Sequence, residues 1–464
     1  MSKTIIFLKV VILSVLFLSL ISCTQKSKEL KVSQTVGLLK PNVVLIFVDD
    51  MGYGDLGCYG HPNIKTPNID NMANEGIRFT SFYAVAPVCT PSRAGLLTGR
   101  YPIRSIPTNC GPSSPDKGLP VSEITVANIL KDAGYKTAAI GKWHLGHAKH
   151  FLPTSRGFDS FYGLPYSNDM ILPWCPWLTE NDTLFMYEND EPVKAIGFKQ
   201  DNLMVEYTKK AVEYIETQKD SPFFLYLAHA MPHLPISTSA EFIGKSDGGL
   251  YGDVVETLDW SVGQILETLK KQDLDKNTLV IFTSDNGPWQ NLPERMLQKG
   301  VKPWHGGTTG LLRGSKATTY EGGFRVPGIL RWPGQIPQNQ VSSEMATTMD
   351  LFTTIVQIAG AELPTDRDID GNNILTLLKG EDKSPTQKLF YFNGAKAEAI
   401  RSGNWKLRIT DTNGIELYDL KNDPSEKYNQ AEDNPHIVNT LQKELTDFAK
   451  DIVLLFRPKL GRFL

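Results

Sequence analysis

Three apolar runs limit the fold of this 464-residue chain more than any other feature. They are NVVLIFV at 42–48, FFLYLA at 223–228 and TLVIFTS at 278–284, and none alternates between apolar and polar positions. A strand that is apolar on both faces is typical of a parallel sheet covered by helices on each side. Helix-like patterns at 122–134 and 254–272 lie between these runs. The sequence therefore predicts an α/β fold with a large, mostly parallel, doubly wound sheet flanked by helices.

The pattern changes near residue 385 to short alternating segments. KLFYFN, EAIRSGNWKLRI and GIELYDL are separated by turn residues, and the amphipathic pattern PHIVNTLQKELTDFAKDI follows them. Alternating strands joined by turns are typical of an antiparallel sheet with one exposed face. We predict a main domain over 41–384 and a smaller C-terminal subdomain of antiparallel sheet plus helix over 385–464.

The N-terminus has the composition of an export signal. A positively charged start and a long apolar run end at LISC, residues 20–23, which resembles the bacterial lipoprotein box. We predict a lipoprotein signal peptide over 1–22, a lipid on Cys23 that attaches the protein to the membrane, and a polar tether over 23–40. The alternative is an N-terminus without this lipid, which acts either as a simple cleaved signal or as a membrane anchor. The expected location is the periplasmic side of the outer membrane or the cell surface.

Charge and cysteine content exclude some functions. The net charge is -3 and no block of like charges occurs, so no nucleic acid partner is expected. Five cysteines are present, and their spacing matches no zinc site. In an oxidising compartment, disulfide pairing is the default expectation for the four that follow Cys23, namely Cys58, Cys89, Cys110 and Cys175.

Each apolar run ends on polar residues. Asp49-Asp50 follow the first run, His229 and His233 follow the second, and Asp285-Asn286 follow the third. Ligands of doubly wound sheets bind beyond the carboxyl ends of the strands, so these side chains could face one pocket. Carboxylate and amide oxygens suit a hard cation such as Ca²⁺ or Mg²⁺. Taken singly, an Asp pair or an Asp-Asn-Gly sequence is also an ordinary turn signal.

Two further segments carry chemistry. In CTPSRAGLLTG, Cys89 precedes a Pro-Ser-Arg turn and the predicted start of a helix, whose N-terminus favours an anion at residue 89. In GYKTAAIGKWH, residues 134–144, an extended chain would put Lys142 and His144 on the same side. A lysine beside an imidazole suits an anionic substrate and proton transfer.

These segments together resemble the sulfatases. Cys89, Pro91, Ser92 and Arg93 stand in the order of that family's first signature, and residues 134–144 resemble its second. LRGSKATTYEGG, 312–323, resembles its later lysine segment, and the two polar pairs at 49–50 and 285–286 fall where its metal ligands fall. The resemblance is to the formylglycine-dependent, arylsulfatase A-like branch of the alkaline phosphatase superfamily.

The resemblance implies a sulfuric ester hydrolase with a catalytic domain over 41–384. A formylglycine-generating maturation enzyme would convert Cys89 to an aldehyde that hydrates to a diol. One hydroxyl would attack sulfur to give a covalent sulfated intermediate, and deprotonation of the other would release sulfate. The ion would be Ca²⁺, with Mg²⁺ as the alternative, and its implied ligands are Asp49, Asp50, Asp285, Asn286 and residue 89.

The resemblance also implies roles for other residues. Arg93 and Lys142 would steady residue 89, and Lys142 with Lys316 would bind the sulfate oxygens. His144 would take the proton that releases sulfate, and His229 would donate one to the leaving alcohol. The candidates for substrate binding are Ser167, Asn168, Asp169, His233 and His305.

Tryptophans in the loops at 172–177 and 288–307 suit stacking against sugars, although each is also compatible with ordinary packing. We therefore expect an exo-acting sulfatase of sulfated carbohydrate, from glycosaminoglycan, mucin or algal glycan. Two alternatives stay open at this point. One is a formylglycine-dependent phosphodiester or phosphonate hydrolase, and the other is a catalytically idle glycan-binding lipoprotein with an unmodified or disulfide-bonded Cys89.

Overall fold

The structure is a computed structural model that describes residues 40–180, 182–197, 200–218 and 220–460, with side chains described up to 452. The predicted signal peptide, Cys23 and almost all of the tether lie outside these ranges, so they stay predictions. Within the described ranges, no helix combines the length and the apolar character needed to cross a bilayer.

The strands are numbered in chain order. They are β1 Asn42–Val48, β2 Ile77–Phe79, β3 Phe82–Tyr83, β4 Lys136–Lys142, β5 Ser160–Leu164, β6 Leu184–Glu188, β7 Glu191–Ile196, β8 Phe223–Ala228, β9 Thr278–Ser284, β10 Gly328–Arg331, β11 Gln340–Ser342, β12 Ala346–Thr347, β13 Lys388–Asn393, β14 Lys396–Ser402, β15 Trp405–Thr410 and β16 Gly414–Asp419.

The α-helices are α1 Pro67–Asn74, α2 Cys89–Thr98, α3 Val126–Asp132, α4 Leu203–Thr217, α5 Gly249–Lys271, α6 Glu321–Phe324, α7 Thr348–Ile358, α8 Leu375–Leu378 and α9 Pro435–Leu460. Short 3₁₀ helices lie at Gly57–Tyr59, Pro102–Arg104, Lys149–Phe151, Pro153–Arg156, Asp275–Asn277, Glu294–Met296 and Pro303–Gly306.

A ten-stranded sheet forms the centre of the fold, in the order β11-β2-β10-β9-β1-β8-β4-β5-β6-β7. Strands β9, β1, β8, β4 and β5 are parallel, while β10, β6 and β7 pair antiparallel with their neighbours. This confirms the predicted large and mostly parallel sheet. Register places Val48 beside Ser284, and Phe47 beside Ala228, so the polar residues after all three strands emerge at one edge.

The sheet is buried on both faces, which explains the lack of alternation in its central strands. Val44, Ile46 and Val48 of β1 pack into one apolar core with α4 and α5. Val43, Leu45 and Phe47 pack into a second core that includes α2, α3 and α7. Because successive side chains of a strand point to opposite faces, every position of β1 is enclosed.

The C-terminal segment forms the predicted antiparallel sheet. Its order is β13-β14-β15-β16, and Ile400, Leu407 and Leu417 pack with Leu441 and Leu445 of α9 in a separate small core. This confirms the antiparallel sheet with a helix. The proposed domain boundary at 384/385 stays a prediction.

Candidate active site

Three carboxylates and one amide meet at the carboxyl edge of the central strands. Asp49 and Asp50 follow β1, and Asp285 and Asn286 follow β9; all four are buried. Asp50 adopts a left-handed backbone with φ 61°, a conformation that non-glycine residues rarely adopt. Its backbone N–H donates to Asp285 Oδ1 at 3.1 Å, and Asn286 Nδ2 donates to Asp50 Oδ1 at 2.7 Å. This backbone conformation therefore directs the carboxylates of Asp49 and Asp50 toward one site, as the sequence predicts for the end of a strand.

Cys89 is the first residue of α2 and is 1% exposed. Its Sγ lies 3.3 Å from Asp49 Oδ1 and 4.0 Å from Asp50 Oδ1. Burial, together with the negative charge of Asp49, raises the pKa of the Cys89 thiol well above its usual value. The thiol is therefore neutral in this precursor form, and it stands where the resemblance places the formylglycine.

Arg93 ties the carboxylates to the neighbouring strand. Its Nη2 lies 2.8 Å from Asp285 Oδ2 and 3.2 Å from Asp49 Oδ2, and its Nη1 donates to the Lys142 carbonyl at 2.8 Å. The guanidinium also lies over the Phe47 ring, 5.3 Å from its centroid. A planar group with five donors can bridge two carboxylates and a carbonyl at once, which lysine cannot do.

Lys142 ends β4 and forms a buried ion pair with Asp49. Its Nζ donates to Ser167 Oγ at 3.1 Å, which places Ser167 beside Lys142; the substrate-binding role of Ser167 stays a prediction. Burial lowers the pKa of Lys142, but the charge of Asp49 outweighs that effect and raises it overall. Lys142 is therefore a fixed positive charge.

The extended geometry expected around His144 is wrong. Strand β4 ends at Lys142, and His144 has a left-handed backbone with φ 59°. Its Nε2 lies 2.9 Å from the Cys110 carbonyl, which only accepts hydrogen bonds, so Nε2 carries the hydrogen and Nδ1 keeps a lone pair. Nδ1 is buried without a hydrogen bond, and burial followed by the charge of Lys142 lowers the His144 pKa well below 6.5. His144 is thus a neutral imidazole with one free basic nitrogen.

Lys316 closes the site from the opposite side. Its Nζ lies 2.7 and 2.8 Å from the two oxygens of Asp50, 3.4 Å from Cys89 Sγ and 4.8 Å from the centroid of the Trp289 ring. Burial opposes its charge, but Asp50 outweighs burial and raises the Lys316 pKa. Lys316 therefore contacts the reacting position directly.

The structure places the two histidines after β8 in different surroundings, and the role predicted for His229 as the proton donor stays a prediction. His229 Nε2 lies 3.1 Å from Ser261 Oγ on α5, and its ring packs near Tyr207 of α4. His233 lies at the site instead, with Nε2 3.6 Å from Asp50 Oδ2. Its Nδ1 donates to the Leu234 carbonyl at 2.6 Å, which leaves Nε2 to exchange a proton with a ligand. The segment after β8 is not a strand, so sequence periodicity could not choose between the two histidines.

The carboxylates differ in their surroundings. Burial raises the pKa of Asp50. Lys316 lowers it in part, but the repulsion of Asp49 and Asp285 adds to the effect of burial, so the pKa reaches about 7. Burial also acts on Asp49, but Lys142, His233 and Arg93 lower its pKa well below 3.8. A group of like charges this close needs a compensating cation to stay ionised.

These residues fit a divalent metal. Ligand atoms of Asp49, Asp50, Cys89 and His233 all lie within 4.8 Å of one another. One ion with 2.3–2.6 Å bonds brings its ligands within about 5 Å of each other. Asn286 Oδ1 is also buried without a hydrogen bond, as expected for an oxygen that serves an ion. The donor set is dominated by oxygen and suits a hard cation.

The other substrate-binding candidates lie beside the centre. Asn168 Nδ2 donates to Gln200 Oε1 at 3.0 Å and to the Pro235 carbonyl at 3.3 Å, so its side chain is held by the neighbouring loops. Asp169 is buried in the same turn. His305 lines a separate cavity with Pro235.

The default expectation of disulfides does not hold. In the part of the chain that the structure describes, Cys58, Cys89, Cys110 and Cys175 are free thiols. Cys110 Sγ lies 3.8 Å from Thr90 Oγ1 and 3.5 Å from the His144 carbonyl, so it packs beside the site without a bond to Cys89. Cys89 is therefore available as a free thiol.

Comparisons with known proteins agree with this geometry. A family model described as Sulfatase matches residues 41–361, which is more than half of the chain. The chain belongs to the sulfatase family. A second model, described as N-sulphoglucosamine sulphohydrolase, C-terminal, matches residues 314–451.

Individual sulfatases match over most of their length. N-acetylgalactosamine-6-sulfatase of Mus musculus is 40% identical over 422 residues, which cover 86% of this chain and 78% of that protein. Human arylsulfatase A is 38% identical and covers 90% of each chain. A solved sulfatase structure, titled for the metabolism of multiple glycosaminoglycans by Bacteroides thetaiotaomicron, has a TM-score of 0.77 and 30% identity, covering 89% of this chain and 99% of that one.

Membership confirms that this sulfatase is a sulfuric ester hydrolase, in a family that uses formylglycine and a divalent metal. The fold brings together the residues that the sequence signatures indicated. They are Cys89, Arg93, Lys142, His144, Lys316 and the four oxygen donors. His233 lies beside Asp50, whereas the Nε2 of His229 contacts Ser261. The signal for His233 was available in its position five residues after the end of β8, but nothing in the sequence ranked it above His229.

The sequence did not indicate how Lys316 is held. The segment around it is fastened to the C-terminal sheet: Arg313 Nη1 donates to Tyr418 Oη at 3.0 Å, and Thr319 Oγ1 donates to Glu398 Oε2 at 2.8 Å. These contacts span about a hundred residues of chain. Because the partners are unremarkable charged or polar residues of alternating strands, no local pattern could identify them.

A buried triad completes this attachment. Lys406 of β15 is fully buried, with Nζ 3.0 Å from Glu321 Oε1 and 2.8 Å from Glu426 Oε1. Glu426 also accepts a hydrogen bond from the Glu321 backbone N–H at 2.7 Å. Burial opposes ionisation of Glu321, but Lys406, Arg325 and Arg401 lower its pKa to about 2. The triad therefore links the helix turn that follows Lys316 to the centre of the C-terminal sheet.

We predict that Lys406→Met lowers the free energy of unfolding by about 3–5 kcal/mol, because it leaves the buried Glu426 without its cation and removes one of the cations that face Glu321. The matched control is Lys396→Met, which removes an exposed ion pair to Asp411 and should cost less than about 1 kcal/mol. Urea unfolding of both variants measures the difference. Equal losses would contradict the role given to the triad.

Proposed function

We propose that this sulfatase removes sulfate from the non-reducing end of sulfated glycosaminoglycan-type carbohydrate, through a formylglycine made from Cys89. The observation that carries the proposal is the position of Cys89 Sγ, buried 3.3 Å from Asp49 Oδ1 and 3.4 Å from Lys316 Nζ. A nucleophile placed between carboxylates and a fixed lysine suits attack on an anionic ester. A maturation enzyme is the partner that this chemistry requires.

The chain's own residues would divide the work as follows. Lys142 and Lys316 bind the sulfate oxygens and concentrate positive charge where the ester is anionic. Arg93 holds Asp49 and Asp285 in place and fixes the end of β4 through the Lys142 carbonyl. His144 receives a proton on Nδ1, which is its free nitrogen. Formylglycine at residue 89 supplies a diol hydroxyl as the nucleophile for sulfur.

His233 is the proton donor to the leaving alcohol in this proposal. Its Nε2 reaches the edge of the site, and burial and the charge of Lys316 lower the His233 pKa in the absence of substrate. An anionic sulfate ester beside the ring favours the protonated imidazole.

Asp49, Asp50, Asp285 and Asn286 would hold a cation, and we propose Ca²⁺ because carboxylate and amide oxygens in an irregular arrangement suit it better than the strict octahedron of Mg²⁺. The bound ion supplies positive charge that offsets the charge on the sulfate oxygens. Lys316 would then share Asp50 with that ion.

The choice of substrate rests on the relatives and on burial. The mouse relative is named for N-acetylgalactosamine 6-sulfate, and the solved structure is titled for glycosaminoglycan metabolism. The centre is enclosed, since Asp49, Asp285 and Lys142 are 0% exposed. Because a chain end enters an enclosed site more readily than a chain interior, a terminal sulfated sugar is the proposed substrate.

The first prediction concerns Cys89. Peptide mass spectrometry of protein co-expressed with a maturation enzyme should show an aldehyde at residue 89, and Cys89→Ala should lose at least about 1,000-fold in turnover because the nucleophile is gone. Thermal unfolding of the variant should stay close to that of the wild type. An unmodified Cys89 in an active enzyme would contradict the proposal, and faster release of phosphate than sulfate from matched aryl esters would favour a phosphorus substrate.

The second prediction separates the two histidines. His233→Ala should slow sulfate release from sugars more strongly than from activated aryl sulfates, by about 100-fold against less than tenfold, because only a poor leaving group needs a proton. His229→Ala is the matched control and should affect both substrates equally through packing. Steady-state kinetics on the two substrates test this, and a selective loss in His229→Ala would overturn the assignment.

The third prediction concerns the metal. Dialysis against a chelator should abolish turnover and lower the melting temperature, because the clustered carboxylates lose the charge that offsets their repulsion. Ca²⁺ should restore both at lower concentration than Mg²⁺. Full activity in metal-depleted protein, confirmed by elemental analysis, would contradict a metal site at these residues.

A further inference from the structure

A cavity of about 270 Å³ lies beside the reactive centre and has no part in the chemistry described above. Its polar wall includes Asp201, Ser237 and His305, and its apolar wall includes Trp174, Ile236 and Val301. This volume is slightly below the range of about 300–1,000 Å³ that is typical of small-molecule sites. We call it the side cavity.

Two short stretches of chain link residues around the side cavity to residues of the centre. Pro235 lines it and is two residues from His233, so its Cα lies within about 7 Å of the His233 Cα. The second stretch starts at Ser167, which contacts Lys142. The backbone carbonyl of the next residue, Asn168, accepts a hydrogen bond from Gln200 Nε2 at 2.9 Å. Gln200 is adjacent to Asp201. Both stretches start at residues that surround Cys89.

The polar groups of the side cavity provide an acceptor and a donor. Asp201 Oδ1 accepts a hydrogen bond from Ser237 Oγ at 2.8 Å, and the exposed Asp201 side chain, which lines the cavity, can accept further hydrogen bonds. His305 Nδ1 accepts the Lys302 backbone N–H at 3.2 Å, which leaves the hydrogen of a neutral imidazole on Nε2. Burial and the charge of Lys302 lower the His305 pKa and keep the ring neutral.

This combination suits the hydroxyl groups of a sugar. A carboxylate accepts from one or two hydroxyls, an imidazole N–H donates to another, and the apolar wall covers the C–H face of a pyranose ring. Trp304, which is 73% exposed, is adjacent in sequence to His305, with ring centroids 6.3 Å apart. An exposed tryptophan next in sequence to a cavity-lining residue offers a stacking surface for a further part of a glycan.

We propose that the side cavity is a subsite for a pyranose ring of the substrate, recognised through its hydroxyls by Asp201 and His305. This inference rests on the proposed carbohydrate sulfatase function. The ring could be the sulfated sugar itself or the sugar linked to it, since both offer the same hydroxyls. The substrates used in the test distinguish these two sources.

The test compares three sulfate esters on enzyme whose residue 89 has been converted. They are a small aryl sulfate, N-acetylgalactosamine 6-sulfate as a monosaccharide, and a disaccharide with that sugar at its non-reducing end. In Asp201→Ala, the ratio of kcat/KM for the sugar to kcat/KM for the aryl sulfate should fall about tenfold, mainly through KM, because a hydrogen bond to a charged group is lost.

Asp201→Asn keeps the shape and one acceptor, so it should lose less than Asp201→Ala. Asp411→Ala, which removes an exposed carboxylate of the C-terminal sheet, is the matched control and should leave the ratio unchanged. A loss with both sugars assigns the subsite to the sulfated ring, and a loss with the disaccharide alone assigns it to the neighbouring ring.

Two results would overturn the inference. Sugar hydrolysis that is insensitive to Asp201→Ala, or an equal loss on all three esters, removes the subsite while leaving the proposed function intact. A wild-type enzyme that hydrolyses the aryl sulfate and no sulfated sugar overturns the subsite and the carbohydrate function together.

Discussion

The structure depends on burying three carboxylates side by side. Asp49, Asp50 and Asp285 have almost no contact with solvent, and their mutual repulsion would oppose folding if nothing offset it. Arg93, Lys142 and Lys316 each pair with at least one of them, so three positive groups face three negative ones. Each cation comes from a different part of the chain, and the charge requirement therefore holds α2, β4 and the segment after residue 312 in one place.

The same charges would serve the reaction. A sulfate ester that enters the site meets lysines that are already positioned and already desolvated, so little reorganisation is needed when charge moves. The cost of keeping this arrangement is visible in the backbone, where Asp50 and His144 both have positive φ angles. Such conformations persist only where the surrounding contacts enforce them. Here those contacts are the parallel strands and the ion pairs themselves.

Much of the fold could be predicted from sequence because its signals are local. The apolar runs of β1, β8 and β9 indicated burial on both faces, and the polar residues after them indicated one edge. The choice between His229 and His233 could not be made, since it depends on the path of an irregular segment after β8. Strand periodicity misplaced His144 for a related reason: the chain leaves the extended conformation after Lys142. The triad of Glu321, Lys406 and Glu426 had no local signal, because it consists of ordinary charged residues brought together only by tertiary packing.

The burial of Cys89 sets an order of events in the life of the protein. With 1% of its surface exposed at the start of α2, the thiol offers no access to another macromolecule once the domain has closed around it. An enzyme that modifies this side chain must therefore capture the polypeptide while it is still unfolded. For the proposed conversion of Cys89, folding and maturation would then compete in time, and a molecule that folds first would remain a stable but inert precursor. The active fraction of a preparation would reflect the ratio of two rates rather than the stability of the finished protein.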